Sequence, residues 1–360
     1  MSISKDTILA ALSRIIEPDL KKDIVSLDLV RDIQIDGTSV RVHVEVSNPA
    51  MHSRKRMEEA VVFNLKQALG KEVNVSVEVT PLSGERGTLR KVLPYVKHIV
   101  AIASGKGGVG KSTITANLAA GLAARGLKVG LVDADIYGPS MPMMFDVLQE
   151  KPGTIEKNGK HLIVPIESYG VKLLSIGFFA QIDQAIAWRG PMATKALEQL
   201  IKDADWGELD VLFVDLPPGT GDIHLSLVNA VPLSGAIIVS TPQQVALIDA
   251  RKGVGLFNLP SVNVPVLGIV ENMAWFTPAE LPENKYFIFG KGGAKALADE
   301  LKVPFLAQIP IVQSIREAGD VGRPAVLQQN TPAAAAFSHL CDAFQKRLIE
   351  LEQEKRSVIA

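Results

Sequence analysis

Residues 105–113 read GKGGVGKST, and Gly105, Gly110, Lys111 and Ser112 satisfy the spacing G-x-x-x-x-G-K-S/T. This stretch constrains the fold more than any other, because such a loop works only between a buried strand and the start of a helix. Both flanks fit. The run HIVAIAS, from His98 to Ser104, is short, apolar and β-branched, the pattern of a buried strand. The run TITANLAAGLAARG is rich in alanine and leucine and stops at Gly126, the pattern of a glycine-capped helix. In that setting glycines let backbone N–H groups turn toward an anion, and the helix N-terminus adds partial positive charge. The predicted phosphate cradle is Gly105, Lys106, Gly107, Gly108, Val109, Gly110, Lys111, Ser112 and Thr113. Lys111 is expected to reach the β- and γ-phosphates of a nucleotide, and the Ser112 hydroxyl to hold Mg²⁺.

The 360-residue length predicts about two domains. Residues 81–97 mix proline, glycine and basic residues without a sustained period and read as a linker. Residues 1–80 before it form a small α+β unit. There, DIQIDGTSVRVHVEV alternates around Asp36-Gly37 as a hairpin, and RKRMEEAVVFNLKQALG reads as a helix ending at Gly70. Asp19, Asp23 and Asp28 in this unit read as a solvated helix end and turn. From residue 98 to 345, apolar runs alternate with helical stretches: KVGLVDAD, LDVLFVDLP, GAIIVST and VPVLGIVEN. The predicted fold class is therefore α/β: a P-loop domain with a mostly parallel sheet covered by helices on both faces. A terminal helix carries the apolar stripe Phe337, Leu340, Phe344, Leu348 and Leu351, and ends in a charged tail at 346–360.

Net charge is −1 and the polar face of the last helix mixes both signs, so neither nucleic acid nor membrane is an expected partner. No apolar run approaches the roughly 20 residues that span a bilayer, and the N-terminus has no basic leader or cleavage site. Cys341 is the one cysteine, which fits a reducing compartment, and a cytoplasmic location is expected.

Open α/β sheets gather their sites at the C-terminal ends of the strands. Asp133 and Asp135 follow one strand, Asp215 ends another, and Asn272 ends a third. Asp215 suits the Mg²⁺ site, directly or through water, and Asp135 suits the attacking water. Asn272 offers a donor and an acceptor, enough to read an adenine edge, although a turn asparagine fits the same position. No side chain in this set offers an acceptor hydroxyl or a nucleophile, so hydrolysis of a nucleoside triphosphate is the expected reaction. Lys106 is a second lysine in a loop that needs one. It is either a solvated surface lysine or a cation delivered to the nucleotide of a second subunit.

KGGVGKS with this extra lysine resembles the deviant Walker A motif of SIMIBI-class P-loop ATPases of the MinD, ParA and ArsA types. DADIYGPSMP, WRGPM at Trp188–Met192 and DLPPGTGD at Asp215–Asp222 resemble the Mrp/ApbC family of iron–sulfur cluster carrier ATPases. The N-terminal EPDLKKDIVSLDLV is similar to the small domain that recurs in iron–sulfur assembly proteins. The resemblance implies an ATP- and Mg²⁺-dependent homodimer with Lys106 acting in trans, Lys111 and Ser112 on phosphate and Mg²⁺, Asp135 at the water, Asp215 near Mg²⁺ and Asn272 on adenine. It also implies an iron–sulfur cluster as cargo, and assembly proteins or apo-protein clients as partners. One departure is large. The family places a Cys-x-x-Cys pair after the ENM strand, whereas Thr277–Glu283 contains no cysteine, and SNPAMHS has Met51 where a cysteine is common. No iron–sulfur ligand is identified. An ATP-switch regulator recruiting a client through its N-terminal domain, or a MinD/ParA-like positioning ATPase, is the alternative reading.

Overall fold

The computed structural model describes the chain apart from residues 1–3, 18–22, 28, 37–38, 47–50, 71, 82–92, 94, 137, 158, 180–189, 222–223, 226–227, 229–230, 232, 261, 279, 282 and 360. Asp19, Asp28, Gly37, Trp188, Arg189, Asp222 and most of the expected linker thus lie outside the described residues. The chain divides into two units, Met1–Val92 and Leu93–Ala360.

In the first unit, helix α1 (Lys5–Leu12) is capped by Ser4, whose hydroxyl accepts from Thr7 N–H. Strands β1 (Val30–Asp36) and β2 (Ser39–Val46) form the expected antiparallel hairpin. Helix α2 (Met51–Leu69) crosses to β3 (Asn74–Pro81), which pairs parallel with β2. Alternation in β2 sends Val40, Val42 and Val44 into a core with Ile8, Leu12, Val61 and Leu65. Asp23 accepts from the N–H groups of Val25 and Ser26, and the Ser26 side chain, then these N–H groups, hold its carboxyl below the usual range. It is a turn residue, as its sequence context predicts.

In the second unit, β4 (Val96–Ala103) leads through the glycine loop into α3 (Lys111–Ala124). Strand β5 (Val129–Asp133) and a short helix α4 (Met141–Met144) follow. Next come an antiparallel ribbon, β6 (Gly153–Lys157) with β7 (Lys160–Val164), and strands β8 (Ile166–Ser168) and β9 (Val171–Ser175). Helix α5 (Gly190–Lys202), β10 (Leu209–Asp215), β11 (Gly235–Ser240), α6 (Gln244–Phe257) and β12 (Val266–Glu271) continue the alternation. Helix α7 (Gly293–Leu301), β13 (Phe305–Gln308), α8 (Gln313–Asp320) and α9 (Pro332–Ile359) complete it.

The main sheet has eight strands in the order β13-β12-β11-β4-β10-β5-β9-β8, parallel except at the β8–β9 edge. The central strand β4 is therefore flanked by β10 and β11, and the ends of β4, β5 and β10 converge beneath the loop. The stripe expected on the last helix is real: Phe337, Leu340 and Phe344 are fully buried, Leu348 and Leu351 nearly so, and the Phe213 and Phe344 rings lie 5.4 Å apart. Each such side chain contributes roughly 1.5–3 kcal/mol by leaving water. Cys341 sits in the same packing, fully buried, and burial pushes its thiol up to about 11. Among the described residues no helix is long and apolar enough to cross a membrane.

Candidate nucleotide site

The loop between β4 and α3 is held by close backbone packing. A Cβ on Gly105 would overlap the carbonyl of Asp249 in α6, so only glycine fits there. Gly110, at the N-cap of α3, has φ +80°, a left-handed conformation that glycine adopts without steric cost. The loop borders a cleft of about 210 Å³, lined by Ser104, Gly107, Gly108, Gly110, Lys111, Ser112, Thr113, Asp135, Met144 and Pro218.

At the floor of the cleft stands a buried charged cluster. Lys111 is 5% exposed, and its ammonium donates to Asp215 Oδ2 at 2.6 Å and lies 3.8 Å from Asp135 Oδ2. The Ser112 hydroxyl donates to the same Asp215 oxygen at 2.7 Å. Thr115, one turn along α3, lies with its hydroxyl 2.6 Å from Asp215 Oδ1 and 3.0 Å from the Lys111 carbonyl. A hydroxyl has one proton, and the shorter contact to an ionised oxygen claims it. Asp215 is thus fixed at both oxygens. Sequence reading missed Thr115; its i+4 spacing from Lys111 was the available signal.

Asp133, fully buried at the end of β5, ties the next loop together. Its Oδ1 accepts from Asp135 N–H, and its Oδ2 accepts from Met141 N–H and the Ser175 hydroxyl. Both ends of the loop that presents Asp135 are therefore bonded to one carboxyl. Burial, then the nearby Asp215 charge, raise its pKa from 3.8 to about 7. The folded state retains a proton that the unfolded chain has lost. The resulting stability is complete below pH 3.8, the unfolded value, and is lost as pH rises through about 7. Asp133→Asn cannot ionise. Its stability relative to wild type is expected to improve between pH 5 and 8 by about 2.5 kcal/mol, read by urea unfolding at each pH. An identical wild-type-minus-variant difference at both values would contradict this.

His224 donates from Nε2 to the Pro217 carbonyl at 2.7 Å, and burial lowers its pKa, so it is neutral at pH 7 and pins the loop after β10. Lys106 is exposed, does not line the cleft and has no ion-pair partner among the described residues. Asn272 is 6% exposed, and its side-chain amide donates to the Val109 carbonyl inside the loop at 2.9 Å. The described residues of Thr277–Glu283 lie in a segment closed by mutual backbone hydrogen bonds between Phe276 and Tyr286 at 2.8 Å.

The chain matches known family models. Residues 95–345 fit the family model described as the NUBPL iron-transfer P-loop NTPase, and residues 5–79 fit that of an iron–sulfur cluster assembly protein. The chain belongs to the NUBPL iron-transfer P-loop NTPase family. A relative from Synechocystis, named an iron–sulfur cluster carrier protein, is 41% identical over 92% of this chain and 94% of its own. The Dictyostelium discoideum iron–sulfur cluster transfer protein NUBPL is 47% identical over 70% of this chain and 77% of its own. Among solved structures, a nucleotide-binding protein from Archaeoglobus fulgidus in complex with ADP covers 69% of this chain and 94% of its own, at 34% identity and TM-score 0.58. The cell division ATPase MinD from Pyrococcus furiosus is more distant, at 26% identity and TM-score 0.51, over 69% of this chain and 99% of its own. As a NUBPL-family member the chain is a nucleotide-binding P-loop NTPase, and these relatives favour the carrier reading over the positioning ATPase.

Proposed function

We propose that this chain hydrolyses ATP slowly, as a cytoplasmic homodimer, in the assembly or transfer of iron–sulfur clusters. The observation that carries the catalytic half is the Lys111 ammonium, held between Asp215 and Asp135 at the floor of the cleft. An incoming triphosphate gives that ammonium new anionic partners, and the loop N–H groups and helix N-terminus surround the same phosphates. The donor set around Asp215 Oδ2, a serine hydroxyl and a carboxylate, consists of hard oxygens and suits Mg²⁺. Ser112 would hold the ion and Asp215 would face it directly or through water; when bound, it neutralises charge on the phosphates. Asp135, partly open to the cleft, orients the attacking water and accepts its proton. Asn272 reads the adenine. Lys106, exposed beside the loop, reaches the phosphates of the partner copy, which makes turnover depend on the dimer.

The test is Asp135→Asn. The variant is expected to bind ATP normally and to release phosphate at a small fraction of the wild-type rate, since the phosphate cradle is intact and water positioning is lost. Loss of binding with unchanged hydrolysis per bound ATP would contradict this role.

The cargo half rests on the family and its relatives. Cluster ligands are then supplied by a client, an assembly protein or a small thiol, because Thr277–Glu283 holds no cysteine and Cys341 is fully buried with a raised thiol pKa.

A further inference from the structure

Asn272 does more structurally than a purine contact requires. Its backbone N–H donates to the Ser240 carbonyl at 2.8 Å, which fixes it to the end of β11. Its side-chain amide then crosses to the phosphate loop and donates to Val109 O, a contact that is buried. A Cβ on Gly110 would overlap that same amide nitrogen, so the loop closes directly onto Asn272. The preceding residue stiffens this platform. Glu271, fully buried, accepts from Ala294 N–H at the start of α7 at 2.7 Å and from Gln308 Nε2 at 2.6 Å. The end of β12 is thereby tied to three neighbouring elements before it touches the loop.

A planar trans peptide sets its C=O and the following N–H antiparallel. Holding the Val109 carbonyl toward Asn272 therefore fixes the direction of the Gly110 N–H, and Gly110 lines the cleft. We infer that Asn272 is a positioning residue of the phosphate loop, bracing its anion-binding geometry independently of any contact with the base. This rests on the nucleotide-site reading above. It assigns Asn272 two separable roles, with Nδ2 committed to the loop and Oδ1 left for a base donor.

The two roles are separated by a ligand without a base. Calorimetry with Mg²⁺ would compare ATP with inorganic tripolyphosphate on wild type, Asn272→Ala and Asn272→Leu. The leucine variant keeps the side-chain volume if the alanine variant loses its fold. A brace predicts that both ligands weaken, each by about tenfold, the size of one buried hydrogen bond. Unchanged tripolyphosphate affinity, whether ATP weakens or not, would overturn the inference and leave Asn272 at most a base reader. Wild-type protein that binds neither ligand would instead overturn the nucleotide site, and the brace with it.

Discussion

Lys111→Ala is expected to abolish ATP hydrolysis and to weaken nucleotide binding. Two losses act together. The first is the cation on the β- and γ-phosphates. The second is the neutralising charge among Asp135, Asp215 and Asp133, since Lys111 donates to Asp215 at 2.6 Å and both strand-end aspartates are fully buried. Breaking a buried pair by removing one partner costs about 3–5 kcal/mol. Uncompensated carboxylates beside the cleft would also repel a triphosphate. Phosphate release should fall to background, and equilibrium binding of labelled ATP should fall by on the order of 100-fold or more, the equivalent of about 3 kcal/mol. Turnover at the wild-type rate would refute the assignment of the site.

Lys106→Ala is expected to leave ATP binding intact and to lower turnover on the order of 10³-fold, the lower range for a cation supplied in trans. Its side chain is exposed and is not part of the cleft lining, so its own nucleotide should not depend on it. Mixing this variant with Lys111→Ala tests the geometry. In a mixed dimer one site takes Lys111 from the Lys106→Ala copy and Lys106 from the other. That site is complete, so partial activity should return. Demonstrably mixed dimers with no rescue would show that Lys106 does not act across the interface.

The loop and its flanks were legible because their signals are local: spacing in Gly105–Ser112, β-branched runs before it, alanine and leucine after it. Asp215 was legible as a strand-end carboxylate. What surrounds Asp215 was not. Thr115 and Asp215 are 100 positions apart and meet only because β10 lies beside β4 in the sheet. Glu271 stood in a motif with no visible role, since its partners Ala294 and Gln308 lie on later elements. The donor and acceptor of Asn272 were read correctly as chemistry, but its nearest acceptor, Val109, depends on how the loop folds back. β6 gave no strand signal because it is exposed along its whole length, leaving no apolar period to read. The antiparallel edge that β8 adds to the sheet was not legible because β8 is only three residues long, and strand direction is set by its pairing with β9.

On the proposed reading, an intact ATPase of this family handles a cluster whose ligands lie outside its own ENM segment. Thiolate ligation of a 4Fe–4S cluster normally takes four cysteines, and a dimer of this chain has two, both in α9. Glu280 and Glu283 offer hard oxygens, which suit such a cluster poorly. The direct measurement is iron and acid-labile sulfide per dimer after anaerobic reconstitution, with the visible absorption spectrum, for wild type and Cys341→Ser. Little or no stable cluster is expected in either protein, with ATP hydrolysis retained. A near-stoichiometric 4Fe–4S cluster in wild type would contradict this; loss of that cluster in Cys341→Ser would place the ligands at α9, and retention would place them elsewhere in this chain.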